Sequence, residues 1–106
     1  MSKKEKRIAT ENSLLSRVYD LILNTQTIDD ERSKLAEFKS AVENGKDFEK
    51  QLMNLAEDLR QLAVYKFKNK ETLSPEVGKF YMDISTTGLL EKNLGIGFTA
   101  ISFLAK

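Results

Sequence analysis

The sequence lacks several residue types that commonly carry catalysis or cross-link a fold. It contains no cysteine, which excludes disulfides, thiolate metal ligands and a cysteine nucleophile, and which fits a reducing compartment. It contains no histidine either, so the most common general acid–base group and the most common metal ligand are absent. We therefore expect a protein that is not an enzyme and that holds no cofactor and no metal.

The sequence also lacks an excess of charge and any long apolar run. Its 17 basic and 16 acidic residues leave a net charge of +1, which gives no overall indication of nucleic-acid binding. No run approaches the roughly 20 apolar residues that span a bilayer. The basic opening "MSKKEKRIATEN" is not followed by the apolar region of a signal peptide, because Arg17 and Asp20 interrupt "LLSRVYDLIL". We expect a cytoplasmic protein.

Residues that break helices are scarce. There are one proline and five glycines, and residues 1–44 contain neither, which favours long helices. In the first periodic segment, "TENSLLSRVYDLILNT", Thr10 or Asn12 is the predicted N-cap, after a disordered stretch over residues 1–9. The apolar residues of this segment predict one buried helical face: Leu14, Leu15, Val18, Leu21 and Ile22.

The second segment is "TIDDERSKLAEFKSAVENG". Thr27 and Asp30 have the spacing of a capping box, with Asp in place of the preferred Glu, and the acids that follow Ile28 suit the positive end of a helix dipole. Gly45 is free to adopt the left-handed conformation that ends a helix. The predicted apolar stripe consists of Ile28, Leu35, Phe38, Ala41 and Val42.

The third segment, "KDFEKQLMNLAEDLRQLAVYKFKNK", has the strongest periodicity. Its first phenylalanine and its leucines are separated by four, three, four and three positions, as in the seam of a heptad repeat. The predicted seam is Phe48, Leu52, Leu55, Leu59 and Leu62, with Ala56, Ala63 and Phe67 beside it.

The fourth segment, "SPEVGKFYMDIS", opens with favourable signals for a helix start. Ser74 is the predicted N-cap, Pro75 occupies the first helical position and Glu76 follows in the first turn. Gly78 lies inside the helix, where we expect it to permit a close helix contact. The predicted buried face is Val77, Phe80, Tyr81 and Ile84.

Four amphipathic segments joined by short loops predict an all-α fold, an antiparallel up-down-up-down four-helix bundle that forms one domain over residues 1–106. The last stretch, "NLGIGFTAISFLAK" (residues 93–106), is mostly apolar. We expect it to form a short extra helix packed over the bundle, an apolar surface for a partner or the membrane interface, or both, with one face buried and the rest available. The apolar residues that we expect to make a partner contact are Leu94, Ile96, Phe98, Ile101, Phe103 and Leu104.

Acidic clusters are the remaining candidates for chemistry. The cluster at 29–31 lies at a helix start, where acids stabilise the helix, and those at 47–49 and 57–58 fit a solvated helix face. A di-metal site in a bundle requires Glu-x-x-His pairs. The "GIG" at 95–97 lacks the Lys-Ser/Thr of a phosphate-binding loop. None of these patterns predicts catalysis.

A basic stretch occupies the end of the third segment. Between Asp58 and Glu71 the chain contains four basic residues and no acidic residue. Tyr65 and Phe67 are interleaved with the basic residues, which are Arg60, Lys66, Lys68 and Lys70. They either favour a helix C-terminus or form a patch for anionic headgroups or an acidic partner. Interleaved basic and aromatic residues also suit single-stranded nucleic acid, but four cations are too few, and we expect no nucleic acid. The opening "KKEKR" is either a solvated tail or a weak membrane contact.

The order of these motifs resembles that found in the immunity proteins of class IIa (pediocin-like) bacteriocins, the enterocin A immunity family. The resemblance covers roughly residues 14–85 and is carried most by the "LxxLxxDLRQLA" helix, the basic connector and the start "LSPEVGKFYMDIS". These motifs describe packing and capping, and none is a catalytic signature.

The resemblance implies a cytoplasmic four-helix bundle that protects a bacterium from a pore-forming peptide without destroying it. The implied partner is the toxin-bound receptor, the membrane subunits of the mannose phosphotransferase system, with peripheral contact to the inner leaflet. Residues 66–73 and 88–106 would decide which bacteriocin is countered, with Lys66, Lys68, Lys70 and the apolar residues named above making contacts and Arg60 adding charge. The alternative is a small helical adaptor or regulator that binds a soluble protein.

Overall fold

The computed structural model describes residues 2–85, and within them it contains four helices and no strand. The helices are α1 (Lys3–Leu23), α2 (Asp29–Glu43), α3 (Phe48–Lys68) and α4 (Pro75–Ile84). Each helix packs against the next, and α1 also packs against α4, which closes the bundle. The predicted all-α bundle is confirmed. The predictions for residues 93–106 lie outside the described residues.

Two contacts fix the relative directions of the helices. Arg7 of α1 forms an ion pair with Glu49 in the first turn of α3, so α1 and α3 begin at the same end. Ile28 and Ser74, which immediately precede α2 and α4, share a hydrogen bond of 3.3 Å, so these helices begin at the other end. We call this other end the connector end, because it also holds residues 69–74 between α3 and α4.

The core forms where the predicted apolar stripes meet. Phe38 of α2 and Phe48 of α3 pack edge to face, with ring centroids 5.4 Å apart. Leu15, Ile22 and Tyr81 are partly buried at the margin. The buried apolar residues are Leu14, Val18, Leu21, Leu35, Phe38, Phe48, Leu52, Leu55, Ala56, Leu59, Val77, Phe80 and Ile84.

Helix α1 begins earlier than predicted, so the N-cap assignment to Thr10 or Asn12 is wrong. Ser2 is the N-cap, and its hydroxyl accepts the backbone N–H of Glu5 at 3.1 Å. Residues 3–9 form the first two turns of the helix and are not disordered as predicted. A capped start and an ion pair between Arg7 and Glu11, one turn apart, stabilise these exposed turns.

The start of α2 also differs from the prediction. The Thr27 hydroxyl donates to the carbonyl of Leu21 at 2.7 Å and so caps the end of α1. Ile28 is the N-cap residue of α2 and is 46% exposed, so the capping box and the burial of Ile28 were both wrong. At the other end of α2 the prediction is confirmed, since Gly45 has a φ of +87°.

The packing prediction for Phe67 is wrong, and the close helix contact predicted at Gly78 is not found within residues 2–85. Phe67 is 79% exposed, because Lys66 occupies the position where the seam of α3 continues. A Cβ atom on Gly78 would meet only the Leu73 Cβ, at 3.9 Å, among the described residues. That is ordinary van der Waals contact, so the part of the chain that the structure describes places no helix close enough to require a glycine here.

Candidate functional site

The cations of the predicted basic patch are divided between the interior and the surface. Lys66 is buried, with 5% of its surface exposed, whereas Lys68 and Lys70 are exposed. Arg60 is intermediate. The charges that the connector end offers to a partner from this patch are therefore those of Lys68 and Lys70.

Lys66 lies inside the bundle because two carboxylates of α2 neutralise it. Its Nζ is 3.5 Å from Glu31 Oε2 and 3.4 Å from Asp30 Oδ2. Glu31 itself is completely buried. Burying a charge without a partner is costly, so the two buried charges depend on each other.

Glu31 also joins the starts of two helices. Its carboxylate accepts the backbone N–H of Ser74, at 3.3 Å to Oε1 and 3.1 Å to Oε2. The Ser74 hydroxyl in turn accepts the backbone N–H of Ile28. Ser74 is the N-cap residue of α4, as predicted, but its side chain makes no cap bond within α4. The hydroxyl instead accepts a hydrogen bond from the residue that precedes α2.

The connector begins with a tight turn at the end of α3. The backbone N–H of Glu71 donates to the carbonyl of Lys66 at 2.7 Å, and that of Lys70 donates to Phe67 at 3.0 Å. This is the hydrogen-bond pattern of a Schellman motif, which usually places glycine at the left-handed position. Here that position is Lys70, with a φ of 61°, which holds its side chain on an ordered turn.

The loop between α1 and α2 is held by one arginine. The Arg32 guanidinium donates to the carbonyls of Ile22 (2.8 Å), Asn24 (3.0 Å) and Thr27 (2.8 Å). It also pairs with Asp29 at 2.9 Å. Because these acceptors are fixed backbone groups, the loop at the connector end has a defined shape.

Large apolar side chains are exposed at the connector end. Leu23, the last residue of α1, and Phe67, near the end of α3, are each 79% exposed, and Ile28 precedes α2. Together with Lys68 and Lys70 they form what we call the connector surface. Basic and apolar side chains at one end of a rigid bundle suit contact with another macromolecule.

Arg60 lies to one side of the connector surface, on the outer face of α3. Its guanidinium makes two hydrogen bonds to the Glu57 carboxylate, 2.9 Å and 2.6 Å long. These bonds hold the pKa of Glu57 below its ordinary value and raise the pKa of Arg60. Arg60 also lines a shallow surface depression with Val64, Tyr65 and Lys68.

Residues 2–85 contain no group of three or more acidic, cysteine or histidine side chains arranged to hold a metal. Every helix in this part of the chain is too short or too polar to cross a bilayer. Ion pairs and caps account for the buried charged groups, Glu31 and Lys66. Over residues 2–85 the protein is a small helical bundle with exposed basic and apolar side chains at the connector end.

Comparison with known proteins gives the family. Residues 9–89 match the sequence model of the bacteriocin immunity protein family, which is most of the chain, so this protein belongs to that family. The family is not known for enzymatic activity. No curated protein and no solved structure matches significantly.

The pairing of Glu31 with Lys66 was not predicted, although the spacing of the two residues along their helices indicates it. Glu31 lies four positions before Leu35 on the apolar stripe of α2, and Lys66 lies four positions after Leu62 on the seam of α3. Opposite charges that continue two facing apolar stripes are expected to be buried together.

Proposed function

We propose that this protein confers immunity by binding from the cytoplasm to the mannose phosphotransferase receptor when a pore-forming class IIa bacteriocin occupies it, and that binding keeps the pore closed. The observation that carries the proposal is membership of the bacteriocin immunity protein family over residues 9–89.

The proposed mechanism is a preference for one state of the receptor. A protein that bound the free and the toxin-loaded receptor equally well would leave the pore equilibrium unchanged. A shift from mostly open to mostly closed requires a difference in binding free energy of about 5 kcal/mol between the two states. Most of the contacts must therefore be made with surfaces that the bound toxin creates or rearranges.

We assign two surfaces of the protein to this contact. One is the connector surface, on which Lys68 and Lys70 supply charge and Phe67 supplies apolar area. The other is the apolar sequence from Leu94 to Leu104, which includes Ile96, Phe98, Ile101 and Phe103. Lys66 acts in this proposal from inside, by holding the connector against α2, and Arg60 contributes charge beside the depression on α3.

A protection assay tests the proposal. The full chain is expressed in a sensitive host, which is challenged with a panel of pediocin-like bacteriocins, beside a version that ends at Leu94. We expect protection against one or a few toxins, lost on truncation at equal expression. Protection against none would remove the proposed function and favour a helical adaptor with a soluble partner.

Charge variants locate the contact within the bundle. Lys68→Gln with Lys70→Gln should weaken protection, whereas Lys34→Gln with Lys79→Gln, which removes the same charge from α2 and α4, should not. Equal effects of these changes would show that net charge matters and that the connector surface does not. Mass spectrometry after incubation should find the bacteriocin intact. A cleaved bacteriocin would contradict the proposed binding mechanism and indicate that the protein acts as an enzyme.

A further inference from the structure

The cations of this nearly neutral protein are not all paired. Within residues 2–85, ion pairs engage Arg7, Arg17, Arg32, Arg60, Lys34, Lys39, Lys66 and Lys79. The lysines of this part of the chain that remain without an ion pair are Lys3, Lys4, Lys6, Lys46, Lys50, Lys68 and Lys70. Lys68 and Lys70 belong to the connector surface, and the other five lie at the opposite end.

These five lysines are brought together by one contact between helices. Arg7 of α1 pairs with Glu49 of α3, which places the first turns of the two helices side by side. Lys3, Lys4 and Lys6 lie on the turn of α1 that extends about 6 Å beyond Arg7, at a rise of 1.5 Å per residue. Lys46 and Lys50 flank the start of α3, and all five lysines are exposed. We call this group of five the basic end.

The acids at the same end cancel part of the lysine charge. Glu11 and Glu49 pair with Arg7. Glu5 accepts the Ser2 hydroxyl at 3.0 Å, and Asp47 accepts the backbone N–H of Lys50 at 3.0 Å. The starts of α1 and α3 add the positive ends of two helix dipoles, and the end of α2, at Glu43, adds the negative end of a third. The five lysines and Arg7 carry six positive charges, against four negative charges on Glu5, Glu11, Asp47 and Glu49. The basic end therefore keeps a net charge of +2, and its lysine side chains are exposed.

The composition of the basic end indicates its partner. A protein interface normally contains aromatic or arginine anchors, whereas the charges free at this end are lysines and the exposed apolar residue of this part of α1 is Ile8. Flexible lysines at the tip of a helix suit a diffuse layer of negative charge such as anionic headgroups. Single-stranded nucleic acid would require aromatic stacking platforms.

We propose that the basic end binds the anionic lipid surface of the membrane. This deepens the proposed function and rests on it for its purpose, since lipid contact concentrates the protein beside a membrane receptor. The connector surface, at the opposite end of the bundle, stays free for the protein partner. Attachment by five lysines without a buried anchor is reversible and sensitive to salt.

Vesicle sedimentation of the full chain tests the inference without any receptor. The probes are vesicles of phosphatidylcholine alone and vesicles containing roughly one-third phosphatidylglycerol. A lysine near such a surface contributes about 1 kcal/mol, or about fivefold in partitioning. We expect binding to the anionic vesicles that high salt abolishes, and none to the neutral ones.

Matched variants decide which end binds. Lys46→Gln with Lys50→Gln should lower partitioning about 25-fold at this value per lysine. Lys68→Gln with Lys70→Gln removes the same charge at the connector end and should change it less than about twofold. Replacing Lys3, Lys4 and Lys6 by glutamine should lower it about a hundredfold. Circular dichroism should show an unchanged helical signal for every variant.

Several results would overturn the inference: no binding of the wild-type chain to anionic vesicles, equal loss in the two paired variants, or full binding after all five lysines are replaced. If the wild-type chain does not bind vesicles while the variant without the five lysines no longer protects against the bacteriocin, the basic end binds an acidic protein instead of lipid. Vesicle binding without protection against any bacteriocin would leave the inference standing and remove the proposed function.

Discussion

The backbone N–H of Ser74 donates to the carboxylate of Glu31, at 3.1 Å from Oε2, across 43 positions of sequence. The Ser74 hydroxyl accepts from Ile28, three residues before Glu31. A capping box normally makes such reciprocal bonds within one helix; here they are shared between α2 and α4. Lys66 extends the arrangement to α3, so the connector depends on Glu31.

Removing Glu31 should destabilise the bundle strongly. Glu31→Ala leaves Lys66 buried beside Asp30 alone and removes the acceptor of the Ser74 N–H. We expect the free energy of unfolding to fall by about 3–5 kcal/mol, measured by urea denaturation. Asp30→Ala is the matched control, and because the Asp30 side chain is 46% exposed, its cost should be about 1 kcal/mol or less.

A double variant separates the charge from the hydrogen bond. Glu31→Gln with Lys66→Met keeps an acceptor for Ser74 and removes both charges, so it should recover most of the stability that Glu31→Ala loses. A small loss in Glu31→Ala, equal to that of Asp30→Ala, would contradict the central place given to Glu31.

The effect of Ser74→Ala should appear in α2 as well as at the start of α4. The substitution removes the acceptor of the Ile28 N–H but retains the backbone bond from Ser74 to Glu31. We expect a loss of about 0.5–2 kcal/mol. Hydrogen exchange should accelerate at the Ile28 amide. Exchange that changes only within the first turn of α4 would show that Ser74 acts as an ordinary N-cap.

Leu59 and Lys66 are both buried in α3, but only the burial of Leu59 could be predicted from the sequence. Leu59 was placed in the core by periodicity alone, because an apolar side chain needs no particular partner to be buried. Lys66 is buried only because Glu31 and Asp30 meet it from another helix, and a local pattern of cations carries no information about such a partner. Phe67 was predicted to lie beside the seam and is instead 79% exposed, because the seam continues through Lys66.

Helix caps were predicted less well than buried faces. Thr27 and Ser74 have the residue types of local N-caps, yet each hydroxyl bonds to a different helix. Gly45 was predicted correctly because a left-handed turn depends on the backbone of one residue. The candidate recognition residues were chosen by positive charge and apolar character, whereas the burial of Lys66 could be found only in the assembled bundle.

Lys70→Gly should stabilise the protein while weakening its proposed binding. Lys70 has a φ of 61°, a conformation that disfavours residues with a Cβ. Since glycine also loses more entropy on folding, we expect a net gain of about 0.5–1 kcal/mol in the free energy of unfolding. Lys70→Gln removes the charge without relieving the backbone and should leave stability unchanged.

Protection assays on the same two variants separate backbone from charge. Both should protect less well if the Lys70 ammonium contacts the partner. Full protection by Lys70→Gln would remove Lys70 from the recognition surface, and a loss of stability in Lys70→Gly would contradict the left-handed turn.

Gly78→Ala and Gly45→Ala should change stability in opposite directions. Gly78 lies inside α4, where the nearest described atom to an added Cβ is 3.9 Å away, so alanine should add up to about 1 kcal/mol through helix propensity. Gly45 has no described atom within 4 Å of such a Cβ. Its φ of +87° should nevertheless make alanine unfavourable by about 1 kcal/mol. Thermal melts check both, and a destabilised Gly78→Ala would mean that an atom outside residues 2–85 approaches this position.

Asp58→Asn should stabilise the bundle at neutral pH and have little effect in acid. Asp58 lies in a groove between α2 and α3, and burial raises its pKa above the ordinary value, with Glu37 and Glu57 adding to the increase and Lys34 opposing it. Because the folded state holds this proton more tightly than the unfolded chain, the free energy of unfolding falls as the pH rises from the unfolded to the folded pKa.

Asparagine has a helix propensity similar to that of aspartate and does not titrate. The free energy of unfolding of the variant should therefore exceed that of the wild type at pH values above the folded pKa. The two should be equal below the ordinary pKa of aspartate. Urea denaturation across this pH range measures the difference. Glu57→Gln is the comparison with the opposite sign, because Arg60 lowers the pKa of Glu57 and the substitution removes a favourable charge at neutral pH. If Asp58→Asn were destabilising at neutral pH, the carboxylate would be stabilised in the groove by Lys34, and the effect of burial would be the smaller of the two.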